Sequence, residues 1–343
     1  MDLKSLVKKS WNISCKILFK LKNLKGSSSM ETYGNVKIIE GKFSSKFPYC
    51  RSIFIDDKIK GIIDPGSGKE QYLEILNKNR IKYVFNTHYH YDHIHYNYLF
   101  YRSKIMMNEK EAECFINRIN IPKRVGVYEA LGEKAVNEWL HYTQQINAKK
   151  TPYSPSRNHA WYLSTSRLSG IYQYEDRWQC GETEFEFVHT PGHSEGFCCV
   201  LFPDQELICT GDIDLTPFGP WYGGTDSDID DFIRSSKKIL NLELKHYATG
   251  HEIGTLSNNE FAEKLEQYLD IINRRDIKIL NVLEETGPLN IDQITQLGLI
   301  YGGPKYVVDP WIYAWEKVTL YKHLKRLEKT RKVKIKNSMF EIA

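Results

Sequence analysis

From residue 30 onward, short apolar runs are broken by glycine, proline and aspartate: NVKIIEG, RSIFIDD, GIIDPG and YVFNTHYHYDH. Runs of this length, rich in β-branched and aromatic residues and bounded by turn formers, predict strands. A helix-like stretch, KEQYLEILNKN, lies between GIIDPG and YVFNTHYH. The resulting strand, helix, strand unit predicts a layered α/β domain. From about residue 109 to 176 the spacing turns helical (EAECFINRI, AVNEWLHYTQQI) and then becomes an irregular loop with Pro152, Tyr153, Pro155, His159, Trp161 and Tyr162. This segment is expected to be an insertion near the site. Strand-like runs return in ETEFEFVHT, GFCCVLF and ELICTGD, then a helix at DIDDFIRSSKKILNL and the segment HYATGHE, closing the first domain near residue 256. Beyond it the pattern predicts a helix around Asn259 to Arg275, a second helix, the turn TGPLN, a short helix, a break at Gly302, a long helix from Pro310 to Lys329 and a β-like end, KVKIKNSMFEI. Helices followed by a two-stranded tail are the pattern of a winged helix. The expected domains are therefore 30–256 and 257–343, preceded by an extension, 1–29.

Composition adds limits. The 343 residues carry 47 Lys and Arg against 43 Asp and Glu, and a net charge of +4 does not by itself announce a nucleic-acid or membrane partner. Seven cysteines without a CxxC pair argue against a secreted disulfide framework and fit a reducing cytoplasm. Cys198, Cys199 and Cys209 sit in apolar runs and read as small buried hydrophobes. No stretch approaches the roughly 18 uninterrupted apolar residues of a membrane span, so a soluble chain is expected. Residues 1–29 place seven lysines among Leu6, Trp11, Ile13, Ile17, Leu18 and Leu21. Two readings stand for this segment: a tail ahead of a second start at Met30, or weak contact with an anionic membrane surface.

The densest chemistry is THYHYDHIH, which packs His88, His90, Asp92 and His93 into six positions after an apolar strand. Imidazole nitrogen and carboxylate oxygen are ligands for zinc and similar divalent cations, and a strand-to-helix loop can aim several at one point. Four ligands do not complete two metal sites, so further His or Asp residues are expected at later strand ends. His193 lies in HTPGHSEG, where Pro191 and Gly192 make a tight turn; Asp212 follows LICTG; His251 ends HYATGH. Each alone has an ordinary reading, as turn residue, helix cap or surface histidine. Together, in order at strand ends, they point to ligands, with Asp212 able to bridge two cations. GSGKE, after DP, lacks the first glycine of a phosphate loop and the Ser or Thr after its lysine.

Through DPG at Asp64 to Gly66, THYHYDH, TPGH, TGD and GHE, roughly residues 33 to 256 resemble the metallo-beta-lactamase superfamily. The resemblance implies a four-layer αββα sandwich. It implies that His88, His90 and His193 hold one metal, that Asp92, His93 and His251 hold the other, and that Asp212 bridges them. The cofactors are then two divalent ions, zinc first, with manganese or iron accepted by the same ligands. Asp92 and Asp212 become catalytic residues that position a metal-activated water and handle its proton. In the family, Asp64 supports the metal loop by hydrogen bonding; from the residues alone it reads equally as a turn former before Pro65. Where many members have small residues after the DH pair, this chain has His95 and Tyr96, so His95 reads either as a substrate contact or as a helix-surface histidine.

The resemblance implies hydrolysis without fixing the substrate. An ester, thioester or lactone small molecule is the first expectation and single-stranded RNA the alternative. An iron-dependent oxygenase comes third, because all seven ligand positions are filled. GPWYGG and the loop 153–178 form either an aromatic wall above the metals or ordinary packing. Residues 317–336 hold nine basic side chains against Glu328 alone, an excess of +8. That charge suits a phosphate backbone, or else a solvated helix face whose lysine stems cover Trp315 and Leu324. LYKHLKRLEK with the following β segment resembles the winged-helix appendage of the beta-lactamase-like endoribonuclease group, and similar appendages occur on enzymes resembling glyoxalase II and other ester or thioester hydrolases. Homodimerisation stays open at this level.

Overall fold

In a computed structural model, which describes residues 30–117, 119–144 and 167–343, two sheets stack face to face. The first has seven strands in chain order: β1 (Met30–Tyr33), β2 (Val36–Ile39), β3 (Ser52–Ile55), β4 (Lys60–Ile63), β5 (Ile81–Asn86), β6 (Lys104–Asn108) and β7 (Gly170–Tyr172). Pairing is antiparallel from β1 to β4 and parallel from β4 to β7. Parallel neighbours need a crossover, and helix α1 (Lys69–Lys78) supplies it between β4 and β5. The short helix α2 (Tyr91–Ile94) follows β5. Helices α3 (Glu109–Ile116), α4 (Asn120–Arg124) and α5 (Val127–Gln144) follow β6. The helical insertion thus ends sooner than the expected residue 176, because β7 rejoins the first sheet. Residues 1–29 and most of the aromatic loop, residues 145–166, lie outside the described residues.

The second sheet orders β13 (Thr255–Leu256), β12 (His246–Thr249), β11 (Leu207–Gly211), β10 (Cys198–Phe202), β9 (Thr183–His189) and β8 (Arg177–Cys180), and only β11 and β12 run parallel. Alternation along the strands fills both faces. Ile53, Ile55, Phe85, Phe185, Phe187 and Val200 meet between the sheets, while Phe54, Ile62 and Val84 turn outward under Tyr72 and Ile75 of α1. Phe85 lies 5.4 Å from both Phe185 and Phe187, and each such buried ring contributes about 1.5–3 kcal/mol. On the far side, α6 (Ile229–Leu240) and α7 (Asn258–Thr286) cover Cys199, Ile208 and Tyr247 of the second sheet. Helix, sheet, sheet, helix is the four-layer order that the motifs implied.

Where two helices were expected after residue 258, α7 is one helix of 29 residues, started by a capping box of Ser257 and Glu260. The apolar series Phe261, Leu265, Tyr268, Ile272, Ile279 and Leu283 runs straight through the polar triplet at Arg274, because Arg275 and Asp276 are buried and partnered. After α8 (Ile291–Gln296) and α9 (Pro310–Lys329), the hairpin β14 (Val333–Lys336) and β15 (Met339–Ile342) turns at Asn337 and Ser338, both at positive φ. Ile279, Leu283, Ile294, Leu320, Leu324 and Phe340 form the small core of this end. No described helix is long and apolar enough to cross a membrane. The six described cysteines are free and buried, as the apolar runs around three of them implied.

Candidate active site

All seven candidate ligands converge at one end of the sandwich, each just past a strand. Asp64, after β4, sits at φ 49° and begins the turn through Pro65 to Gly66. A Cβ on Gly66 would lie 1.8 Å from the Asp92 carbonyl oxygen, so this backbone can seat the next loop only if residue 66 is glycine. That next loop leaves β5 and carries His88 and His90, and α2 carries Asp92 and His93. His193 follows β9 through Gly192, whose φ of 127° and absent Cβ let the turn press against the Phe232 amide. Asp212 follows β11 and His251 follows β12.

His88, His90, His193 and Asp212 each place a ligand atom within 4.8 Å of the others, and Asp92, His93, Asp212 and His251 form a second such group. Asp212 belongs to both. Its Oδ2 is 2.9 Å from His193 Nε2 and 3.8 Å from His88 Nε2, while Oδ1 is 2.8 Å from His93 Nε2 and 3.4 Å from His251 Nε2. Asp92 Oδ2 lies 3.4 Å from His251 Nε2. The other ring nitrogens are held from behind: His88 Nδ1 by Thr87 Oγ1 at 3.0 Å, His93 Nδ1 by Asp64 Oδ2 at 3.0 Å, His193 Nδ1 by the Trp221 carbonyl at 3.0 Å and His251 Nδ1 by the Tyr49 carbonyl at 2.9 Å. Fixing one nitrogen sets the ring and leaves Nε2 to face the cluster. His90 is the exception, turning Nδ1 to within 2.7 Å of His193 Nε2.

This donor set fits two divalent cations. Among the described residues, His88 Nε2, His93 Nε2 and Asp212 Oδ1 are buried without a hydrogen-bond partner, a costly arrangement unless something electropositive sits between them. Burial and the His93 and His90 rings hold His88 well below the usual imidazole range, leaving it neutral as a ligand must be. Burial works against the charge on His251, yet the Asp212 carboxylate raises it to about 9. Burial opposes ionisation of Asp212 too, but the His93, His193 and His251 rings hold it well below the carboxylate range. Excess negative charge at the centre, answered by protons on imidazoles, is the electrostatic signature of a cation site.

A model of the metallo-beta-lactamase superfamily matches residues 47–106, the stretch that carries DPG and THYHYDH. A metallo-beta-lactamase family protein from Thermus thermophilus superposes with a TM-score of 0.60 at 14% identity, covering 90% of this chain and 99% of that one. The fold is that of the metallo-beta-lactamase superfamily. A beta-lactamase domain protein from Burkholderia ambifaria superposes at TM-score 0.62 with 12% identity, over 94% of this chain and 96% of the other. Among curated relatives, an atrochrysone carboxyl ACP thioesterase of Aspergillus fumigatus is 33% identical over 97 residues, 28% of this chain and 29% of its own length. A hydroxyacylglutathione hydrolase of Pelagibacter ubique is 24% identical over 247 residues, 68% of this chain and 82% of its own. The chain thus spans less than a third of the first relative and about four fifths of the second.

Within this superfamily fold, the sequence motifs single out the candidate ligands but miss the residues that support them. Asp64 proves to be more than a turn former: it accepts from Thr87 N at 2.8 Å, Thr87 Oγ1 at 2.6 Å and the His93 ring. His95 is neither a substrate contact nor a surface histidine. It is fully buried, bonded to the Tyr91 carbonyl at 2.8 Å and packed on Tyr96. Trp315 lines a cavity of about 250 Å³ above Asp92 and Asp212, together with Trp221 and Trp311.

Trp221 reaches the site through a loop that Arg275 of α7 holds. Arg275 donates to the Pro220 and Phe218 carbonyls, both at 2.7 Å, and to the Tyr222 hydroxyl at 2.8 Å. The Trp221 carbonyl in turn holds His193. Arg275→Ala is expected to lower unfolding free energy by about 3–5 kcal/mol, since hydrogen bonds to a charged donor are worth about 1.5–3 kcal/mol each and their buried acceptors are left unpaired, and to weaken metal binding by roughly 10- to 100-fold through His193. Thermal denaturation and a metal titration check this; unchanged values in both would show that the loop stands without Arg275.

Proposed function

We propose that this chain is a metal-dependent hydrolase that cleaves an ester, thioester or lactone, with two divalent ions, zinc first, held by His88, His90 and His193 and by Asp92, His93 and His251 around Asp212. The observation that carries this reading is the pair of four-residue groups sharing Asp212 beneath a cavity walled by aromatic rings. Bound divalent ions would supply Lewis acidity and bring the pKa of water toward neutrality. The chain's own residues do the rest. Asp92 and Asp212 face the cavity floor, where their oxygens can orient a water and accept its proton. In the overall reaction the acyl C–O or C–S bond breaks, a new C–O bond to the water oxygen forms, and the leaving alcohol or thiol takes the proton.

Carbonyl substrates are favoured over RNA by charge. No lysine or arginine is among the described residues that line the cavity. The basic stretch is also less free than its composition suggests: Lys317 pairs with Asp292 at 2.8 Å, Lys325 with Glu328 at 2.7 Å, and Arg326 with Asp276 and Asp230. Lys322 is turned inward onto the Ser227 carbonyl. The names of the two curated relatives, a thioesterase and a hydroxyacylglutathione hydrolase, support the same choice. The C-terminal helices and hairpin are read as a winged-helix-like unit whose role here is to wall the cavity through α9.

The test is a panel of simple esters, thioesters and lactones beside labelled single-stranded RNA, with zinc and with manganese, before and after chelation. Metal-dependent turnover of a carbonyl substrate with intact RNA is expected. RNA cleavage that metal restores, with no carbonyl turnover, would replace this reading with the nuclease one.

A further inference from the structure

The cavity is specific in its chemistry. Among its described lining residues, eight carry benzenoid or indole rings, whereas only Ile121 and Val125 are aliphatic. Methionine and leucine, the side chains that mould themselves round an alkyl chain, are missing from that lining. The rings stand edge to face as well as parallel: Trp221 and Trp315 cross at 83° with centroids 6.1 Å apart, and Tyr301 lies 28° from the plane of Trp315 at 6.4 Å. Such walls offer flat faces and positive edges, to which a planar guest responds more strongly than a chain does.

Size and charge narrow the guest further. Roughly 150 Å³ of dry apolar space accepts a benzene ring; this cavity, at about 250 Å³, has room for a larger planar group. Among the described lining residues, the charged groups outside the candidate ligands are Asp214 and Glu252, both acidic. An acyl group bearing its own carboxylate or phosphate would find no lysine or arginine among the described lining residues to pair with. Asp214 is itself committed, accepting from the Tyr268 hydroxyl and the Thr216 amide, both at 3.0 Å. Trp221 is likewise committed, its Nε1 donating to the Tyr301 hydroxyl at 3.0 Å.

We propose that this cavity is an acyl pocket for a planar, uncharged aromatic group, with Trp315 and Trp311 of α9 as its specificity-determining wall, so that aryl-acyl thioesters or esters are the preferred substrates. The proposal rests on the hydrolase reading for its chemistry but on the cavity alone for its guest. Helix α9 then sets what the metal centre acts upon, so that the metal loops and a C-terminal helix form one site.

The experiment uses the full-length zinc-loaded protein. Calorimetry compares two neutral ketones that cannot be hydrolysed, 2-acetylnaphthalene and 2-decanone, and kinetics compares the S-ethyl thioesters of 2-naphthoic and octanoic acids. Tighter binding of the naphthyl ketone by about tenfold is expected, the scale of one well-placed aromatic contact. Trp315→Ala should remove that preference and cut kcat/KM for the naphthoyl thioester at least about tenfold more than for the octanoyl thioester. Trp315→Phe should keep the preference. Trp311→Ala provides a second wall variant if the first does not fold. Equal or tighter binding of 2-decanone by the unaltered protein overturns the proposal without touching the hydrolase reading. Selective naphthyl binding with neither thioester cleaved would overturn the hydrolase reading and leave the pocket assignment standing.

Discussion

Replacing Asp212 by alanine is expected to strip the protein of tightly held metal and to lower kcat/KM by at least about 10³-fold, the scale of losing a group on which the developing charge depends. The reason is its position between the two groups of ligands: Oδ2 faces His193 and His88, and Oδ1 faces His93 and His251. No other candidate ligand serves both groups. Alanine therefore removes one donor from each group and, at once, the single negative charge that the two share. Asp212→Asn keeps the shape but presents an amide N–H to one side, and it should retain at most one ion. Elemental analysis of the purified variants reads this directly. Thermal denaturation gives an independent view, since a ligand at a hundred times its Kd adds about 2.7 kcal/mol to stability and the alanine variant should gain none of it. Full metal content and turnover in Asp212→Ala would sink the assignment of the site.

The candidate ligands could be picked out from the chain because metal chemistry restricts them to a few residue types, and because each stands beside a local turn signal. Gly66 and Gly192 show why those signals are rigid: the backbone of another segment fills the space a Cβ would occupy. What supports the ligands left no such mark. Arg275 reads as one charge in a polar triplet, a plausible place for a helix to end, and only the folded chain brings the Phe218 and Pro220 carbonyls to it. The basic run after residue 317 left two readings open for the same reason. Its partners Asp230, Asp276 and Asp292 lie on α6, α7 and α8, far from it in sequence. Strands β7 and β8 are three and four residues long, too short for a period to show. Trp315 sits in a helical pattern whose apolar positions serve two surfaces: Leu320 and Leu324 face the small C-terminal core, and Trp311 and Trp315 face the cavity. Periodicity reports that a face is buried; it does not report against what.

Glu111→Ala is expected to be nearly as damaging as the loss of a ligand, although Glu111 belongs to no recognisable motif. Its side chain, fully buried at the start of α3, ties together the two loops that carry His88, His90 and His193. One oxygen accepts from the Tyr89 amide at 3.1 Å, between His88 and His90; the other accepts from the Ser194 hydroxyl at 2.8 Å and the Gly196 amide at 2.7 Å, just past His193. Alanine leaves three buried donors without an acceptor, each costing about 1–3 kcal/mol. Arg124, 3.8 Å away, keeps Asp226 at 2.7 Å, so the guanidinium is not stranded and the total loss should stay near about 3–5 kcal/mol. Metal binding should weaken by roughly 10- to 100-fold as the loops lose their tie. The loss should fall first on the ion held by His88, His90 and His193, because Asp92, His93 and His251 are braced instead by Asp64 and the Tyr49 carbonyl. Glu111→Gln, with one acceptor oxygen left and an amide N–H facing a donor, should fall between. A stepwise metal titration separates the two ions. Equal weakening of both in Glu111→Ala would mean a general loosening of the fold, and selective weakening of the first would establish Glu111 as the residue that positions it.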